Sequence, residues 1–280
     1  MSILLNGGSG KTAPRIAALL AANKIPFLLG SRQGPGAGSG GHPAVTFDMS
    51  DESTWAKALE KTSIKAFVDL AKEQGVSRIV LCAGTTAAVG KDGMGRAWER
   101  LAKSGIDYAV LRLSCFMENL TEPGVAFTIG KFNEFDTATR DGKIPFVSAD
   151  DVAEVAYHAL TDGKSYNCDL RVLGPKNLTY DQVAETFSEV LGRKIEHVKL
   201  DEVGRIDGLL RAGLPEYFAQ FLTRLELFAS QDGELGSSDV VETLRGHPAK
   251  SLGKFVEENK SVWLPSSVPL VDDMSRRVYD

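Results

Sequence analysis

The chain has 280 residues, 43% of them hydrophobic and 25% charged, and a net charge of -5 with a pI near 5.5. This is the composition of a globular protein long enough for one large domain or two smaller ones. It excludes a broad basic surface for nucleic acid or anionic membrane, and no apolar run reaches the roughly eighteen residues that a membrane span needs.

Met1 to Leu5 is a short apolar run, followed by Asn6-Gly7-Gly8-Ser9-Gly10-Lys11-Thr12-Ala13 and an amphipathic helical pattern from Ala13 to Asn23. Strand, glycine turn and helix in this order open a dinucleotide-binding unit. Gly7 supplies a tight turn with positive φ. Gly10 lets the backbone approach a pyrophosphate at the helix N-terminus, where unpaired N–H groups favour an anion. Ala13 lets the helix pack close to the strand. Gly10-Lys11-Thr12 also looks like the end of a nucleotide triphosphatase loop, but that loop needs a glycine where Leu5 stands. The start lacks the basic and apolar regions of a signal peptide, so a cytoplasmic protein is expected.

The second strand, Ile25 to Leu29, ends at Gly30-Ser31-Arg32. An NAD site carries an acid at this point, about twenty residues past the glycine turn. Ser31 and Arg32 offer a hydroxyl and a guanidinium fork instead, which suits the 2′-phosphate of NADP(H). The competing reading of Arg32 is a solvated surface charge. Gln33 to Gly41 reads as a glycine-rich loop, Ala44 to Phe47 as a third strand, and Asp51 to Lys61 as a helix.

The alternation then breaks. A doubly wound sheet next requires a strand, yet Thr62-Ser63 leads straight into a second helical pattern, Ile64 to Gln74, capped by Gly75. Either the sheet has one strand fewer than usual, or a segment between Lys61 and Ile64 is missing.

Ser77 to Cys82 is the next strand, and Ala83-Gly84-Thr85-Thr86 follows at its carboxyl end, where open α/β sheets bind ligands. A helix over Gly93 to Lys103 and a strand over Asp107 to Leu113 follow. Val125 to Arg140 shows no clear period, and Ile144 to Val147 reads as a short strand. Ser148-Ala-Asp-Asp reads as the N-terminal signal for a helix over Val152 to Leu160. Arg171 to Leu173 is a strand. Thr179 caps a helix over Tyr180 to Leu191 that stops at Gly192. Ile195 to Leu200 is a strand, and Leu214-Pro215 starts a helix to about Phe228. Cys82, Cys115 and Cys168 are far apart, and the four histidines have no ligand spacing, so no metal site is expected.

Four stretches carry a family likeness: the opening Gly-Gly-Ser-Gly-Lys-Thr, Arg112 to Leu120, Gly142 to Val152, and Leu173 to Lys194. On these the chain resembles the NmrA-like branch of the atypical short-chain dehydrogenase/reductases. Gly-Lys-Thr and the segment at Gly213 are most like the festuclavine and agroclavine dehydrogenases of fungal indole alkaloid assembly. The resemblance implies an α/β fold: a Rossmann-type doubly wound parallel sheet with a smaller α+β substrate lobe. It places an NADP-binding domain at residues 1–115, and a substrate-binding lobe at 116–265 with segments that return to the Rossmann core. Residues 266–280 form a tail.

The implied cofactor is NADP(H), held by Gly7, Gly8, Ser9, Gly10, Lys11, Thr12, Ser31 and Arg32. The loop Cys82-Ala83-Gly84 and the turn Ser114-Cys115-Phe116 would flank the nicotinamide. Two departures stand out. The family's fourth strand has no counterpart, and Leu113 replaces the more usual proline after Arg112.

The helical Tyr-x-x-x-Lys pair of short-chain dehydrogenases is absent, because Tyr108 and Arg112 lie on a strand pattern. A ketone reductase needs such an acid. An iminium reductase does not, since hydride addition to a cation leaves a neutral amine. The expected activity is therefore NADPH-dependent reduction of an imine or iminium intermediate of a prenylated indole alkaloid. A redox-coupled cyclase of Diels–Alder type and a non-catalytic NADP sensor are the alternatives. Phe116, Met117, Phe127, Phe132, Phe135, Tyr217 and Phe218 are candidates to line a small-molecule alkaloid site, with core packing as the competing role. Glu118, Asn119 and Asp150 are the candidate acid–base groups, with helix capping the competing role for Asp150. Oligomeric state is not legible.

Overall fold

The computed structural model describes residues 3–8, 10–32, 41–48, 68–69, 71–91 and 93–264. The expectations for Ser9, for the loop up to Gly41, for the helix over Asp51 to Lys61, for the start of the helix at Ile64 and for the tail lie largely or wholly outside them. The chain divides into two compact units. The first comprises residues 1–113, 149–172 and 239–247. The second comprises 114–148, 173–238 and 248–280.

Unit 1 holds two all-parallel three-stranded ladders. The first runs in the order β1 (Ile3–Asn6), β2 (Phe27–Ser31), β3 (Ala44–Thr46). The second runs β4 (Arg78–Gly84), β5 (Asp107–Leu113), β7 (Cys168–Val172). Helix α1 (Ala13–Ala22) buries Ala13, Ile16, Ala17 and Leu20, one stripe at spacings of three and four. Helix α2 (Met94–Ser104) has Trp98 and Leu101 buried and ends at Gly105 with φ +80°, the left-handed stop that glycine takes without strain. Gly75 closes the preceding helix in the same way: Val76 N–H donates to the Ala71 carbonyl at 2.8 Å.

Helix α4 (Ala149–Thr161) packs on α1 and on β4, β5 and β7. The helix begins at Ala149, earlier than the sequence pattern indicated, so Asp150 and Asp151 lie in its first turn. There they face the positive end of the helix dipole. The short helix α8 (Val240–Arg245) returns to this unit from late in the chain. Arg245 pairs with both Asp151 and Glu154 of α4.

Unit 2 is built from β6 (Glu134–Thr137) paired in parallel with β8 (Glu196–Lys199), and from helices around them. These are α3 (Pro123–Phe132), α5 (Tyr180–Leu191), α6 (Glu202–Arg211), α7 (Glu216–Ala229) and α9 (Leu252–Glu258). Its core gathers Met117, Ile129, Phe135, Phe146, Phe187, Phe255 and Trp263. The segment Val125 to Arg140, irregular by its sequence pattern, is α3 followed by β6. Pro123 starts the helix, and Asn133 stops it with φ +61°. Ile144 to Val147 is not a strand. It makes two isolated bridges, Ile144 with Leu178 and Val147 with Phe116. Gly174 lies so close to Phe146 that an added Cβ would sit 1.7 Å from the Phe146 carbonyl oxygen, and its N–H donates to the Pro145 carbonyl at 3.0 Å, which ties the segment down in place of a ladder. Thr179 and Gln182 form a reciprocal capping box at the start of α5.

Candidate functional site

In unit 1 the glycine turn has the geometry its sequence implies. Gly7 has φ +83°. Gly8 N–H donates to the Gly30 carbonyl at 2.9 Å, and Gly10 N–H to the Gly7 carbonyl at 2.8 Å. A Cβ on Gly10 would lie 3.1 Å from the Gly7 oxygen, and one on Gly8 3.3 Å from the Gly30 oxygen. The turn thus needs glycine for its own closure. Thr12 is the N-cap of α1, but no side chain caps the helix and its first turn holds no acid. Pro14 occupies the opening turn, where a missing N–H costs nothing. The result is a helix N-terminus whose field is left for an outside anion. Lys11 is half-buried, and its carbonyl accepts from Arg15 Nη1 at 2.6 Å.

At the carboxyl end of β2, Ser31 is buried and Arg32 is exposed. Gly30 is required there, since its Cβ would meet Phe47 Cβ at 3.0 Å. At the end of β4, Ala83 is buried while Cys82 and Gly84 are exposed.

Arg112, which sequence reasoning quoted only within a motif, lies on β5 and links the segment after β4 to β7. Its guanidinium donates to the Thr85 carbonyl and, at 3.1 Å, to Asp169 Oδ2, and it lies 6.0 Å from the Trp98 ring centre. One cation on β5 thus holds the turn after β4 and the amino end of β7. The signal for it was a charge inside an otherwise apolar strand, which demands partners.

Asp150 is ion-paired in the first turn of α4. Its carboxylate accepts from Arg15 Nε at 2.6 Å, across to α1. The helix-capping role weighed for it gives way to this ion pair, because Ala149 already opens α4.

In unit 2, Ser114 is 4% exposed and its hydroxyl has no partner among the described residues. Phe116 bridges to Val147, and the Met117 N–H donates to the Val147 carbonyl at 2.9 Å. Met117 to Thr121 form a 3-10 turn, so Glu118 and Asn119 take the helix-start role. Glu118 is buried and accepts from Ser148 Oγ at 3.4 Å. Asn119 donates to Cys115 Sγ at 3.3 Å. Burial pushes the Cys115 thiol up to about 11. Burial likewise raises the Tyr180 phenol, which sits beside Cys115 and packs edge-on to Phe146.

The aromatic candidates divide. Met117 and Phe135, 1% and 3% exposed, are core residues and line no surface. Phe135 stacks on His197. Phe132 is 57% exposed and makes an edge contact with Phe127. Tyr217, 75% exposed, and Phe218 belong to an aromatic face of α7 that continues to Phe221, stacked on Phe218. Phe221, which the sequence pattern places on one helix face with Phe218 but not among the cavity candidates, follows Tyr217 by one helical turn. Among the described residues no cluster of His, Cys, Asp and Glu has the arrangement of a metal site, and no helix is long and apolar enough to cross a membrane.

The NmrA-like family model matches residues 98–257. The chain belongs to the NmrA-like family. Agroclavine dehydrogenase of Claviceps fusiformis is 38% identical over 292 aligned positions, which cover 94% of this chain and 99% of that protein. Festuclavine synthase II of Penicillium roqueforti is 36% identical over 288 positions, covering 94% of this chain and all of that one. An NADPH-dependent quinone oxidoreductase of Escherichia coli has the same fold, with a TM-score of 0.77 at 24% identity over 93% of this chain and all of its own. This NmrA-like protein is an oxidoreductase on a Rossmann-type α/β fold.

Proposed function

We propose that this NmrA-like oxidoreductase uses NADPH to reduce a cyclic imine or iminium intermediate of fungal indole alkaloid biosynthesis. The observation that carries the cofactor is the glycine turn: Gly7 at φ +83° and Gly10 folded back on it. The uncapped, acid-free first turn of α1 adds an anion-binding end. The turn fits a diphosphate, and Gly7, Gly8, Gly10, Lys11 and Thr12 would hold it. Ser31 and Arg32 at the end of β2 would take the 2′-phosphate. Cys82 to Gly84 and Ser114 to Phe116 are the segments assigned to the nicotinamide side. Bound NADPH supplies a hydride; the protein's part is to place the acceptor carbon.

The chain holds no helical Tyr-x-x-x-Lys pair, as Tyr108 and Arg112 both lie on β5. That supports an acceptor that needs no proton at the reacting bond. Phe116, Phe127, Tyr217 and Phe218 are the residues assigned to an indole-bearing cation, whose charge an aromatic face attracts. The relatives named as agroclavine and festuclavine enzymes support this substrate class.

NADPH consumption with a panel of cyclic iminium substrates tests the reading; turnover is expected on at least one, and none on any of them overturns it. Arg32→Ala should raise KM for NADPH about tenfold or more while leaving NADH unchanged, in keeping with one lost charge-assisted contact to phosphate. Equal loss for both coenzymes removes Arg32 from the site.

A further inference from the structure

The two ladders of unit 1 stop at β1 and β4. Among the described residues each of these strands pairs on one side only, β1 with β2 and β4 with β5. Both are chemically wrong for an edge. Sheet edges are kept short, charged or bulged to prevent further pairing. β1 is Ile-Leu-Leu-Asn, and β4 carries Ile-Val-Leu-Cys-Ala between Arg78 and Gly84. Inner strands of parallel sheets are buried on both faces. β5 meets that standard at Ala109, Val110 and Leu111. β4 buries only Ala83, and its Ile79, Val80 and Leu81 stay half-exposed.

Chain length points the same way. Thirty-one residues separate Thr46 from Arg78, and the two eleven-residue helical patterns between them leave about nine for any strand and its loops. The alignments are longer than the part of the chain they cover. Since 94% of 280 residues is about 263, an alignment of 288 or 292 positions sets about 25 to 29 residues of each relative opposite nothing here. That number is ample for the one strand that must separate the two helical patterns, with its loops.

We infer that this chain lacks one strand with its loops between Lys61 and Ile64, and that the open flanks of β1 and β4 are the seat of that strand. Its carboxyl-end loop would lie beside the glycine turn that follows β1, because in a parallel sheet all such loops share one end. The shortened chain therefore lacks part of its cofactor wall as well as its inner strand.

The test compares the 280-residue chain with the same chain carrying, between Lys61 and Ile64, only the strand and loops that the Claviceps fusiformis relative has between its counterparts of the two helical patterns. Amide exchange, melting temperature and NADPH titration are read on both. The insertion should slow exchange in β4 about 100-fold, raise the melting temperature by about 10 °C and tighten NADPH about tenfold. The inference is overturned if the insertion leaves β4 exchange unchanged, lowers the melting temperature, or yields an insoluble protein. It is equally overturned if the 280-residue chain already protects β4 as well as β5, for instance through the strand of a second copy. A stiffened chain that binds no NADPH keeps the missing strand and removes the cofactor assignment, so the two readings fail separately.

Discussion

At the scale of single residues, close backbone approaches set the firmest constraints. The Gly174 position leaves no room for a methyl group against the Phe146 carbonyl, and Gly142 leaves none against Ala229, where a Cβ would sit 2.0 Å from the carbonyl oxygen. Neither neighbour is a side-chain end that can swing away. Gly174→Ala is expected to cost about 3 kcal/mol or more by overpacking, read as a lowered urea midpoint. Asp181 tests electrostatics. Burial alone would raise its carboxyl, but hydrogen bonds from Lys199 and His197 outweigh burial and hold it below the ordinary carboxylate value. A carboxyl depressed on folding stabilises above its unfolded pKa of about 3.9 and loses that contribution as pH falls through the folded value. Asp181→Asn should therefore lower the melting temperature at pH 7, and the gap from the parent should close as pH falls through the depressed folded value.

At the scale of elements, the strongest joints are caps and buried ion pairs. Thr179→Ala removes the acceptor for the Gln182 N–H and should cost about 1 kcal/mol by thermal melting. Arg245→Met is the more severe change. It strips the fully buried Asp151 of its cation and detaches α8 from α4. The expected loss is about 3–5 kcal/mol, and a double variant that also carries Asp151→Leu should recover most of it.

These joints also show what sequence reading reaches. β5 was legible to the residue, because Asp107-Tyr-Ala-Val-Leu-Arg-Leu is an apolar run bounded by Gly105 and Ser114. The glycine turn was legible because positive φ and tight approach leave glycine as the fitting residue. Helix α6 was not, since it buries only Leu209 and shows no apolar stripe. α8 is six residues long and is held by Arg245, whose partners lie some ninety positions earlier. The roles of Met117 and Phe135 were not legible either. An aromatic or thioether side chain reads alike whether it fills a core or lines a cavity, and only packing separates the two.

At the scale of the whole chain, each unit is assembled from three separate segments. Unit 1 takes β7 and α4 from the middle of the sequence and α8 from residues 239–247. Truncation after Ser238 should therefore damage unit 1 as well as unit 2, although the cut lies far along the sequence from the glycine turn: limited proteolysis is expected to cut α4 faster than in the full chain.

Arg245 also imposes an order on biosynthesis. Residues are made from the N-terminus at about 5–20 per second, so Asp151 and Glu154 emerge well before the guanidinium that neutralises them. Until then the Asp151 carboxylate, fully buried in the folded protein, stays wetted by solvent. Unit 1, begun first, thus reaches its final form only after Arg245 has emerged.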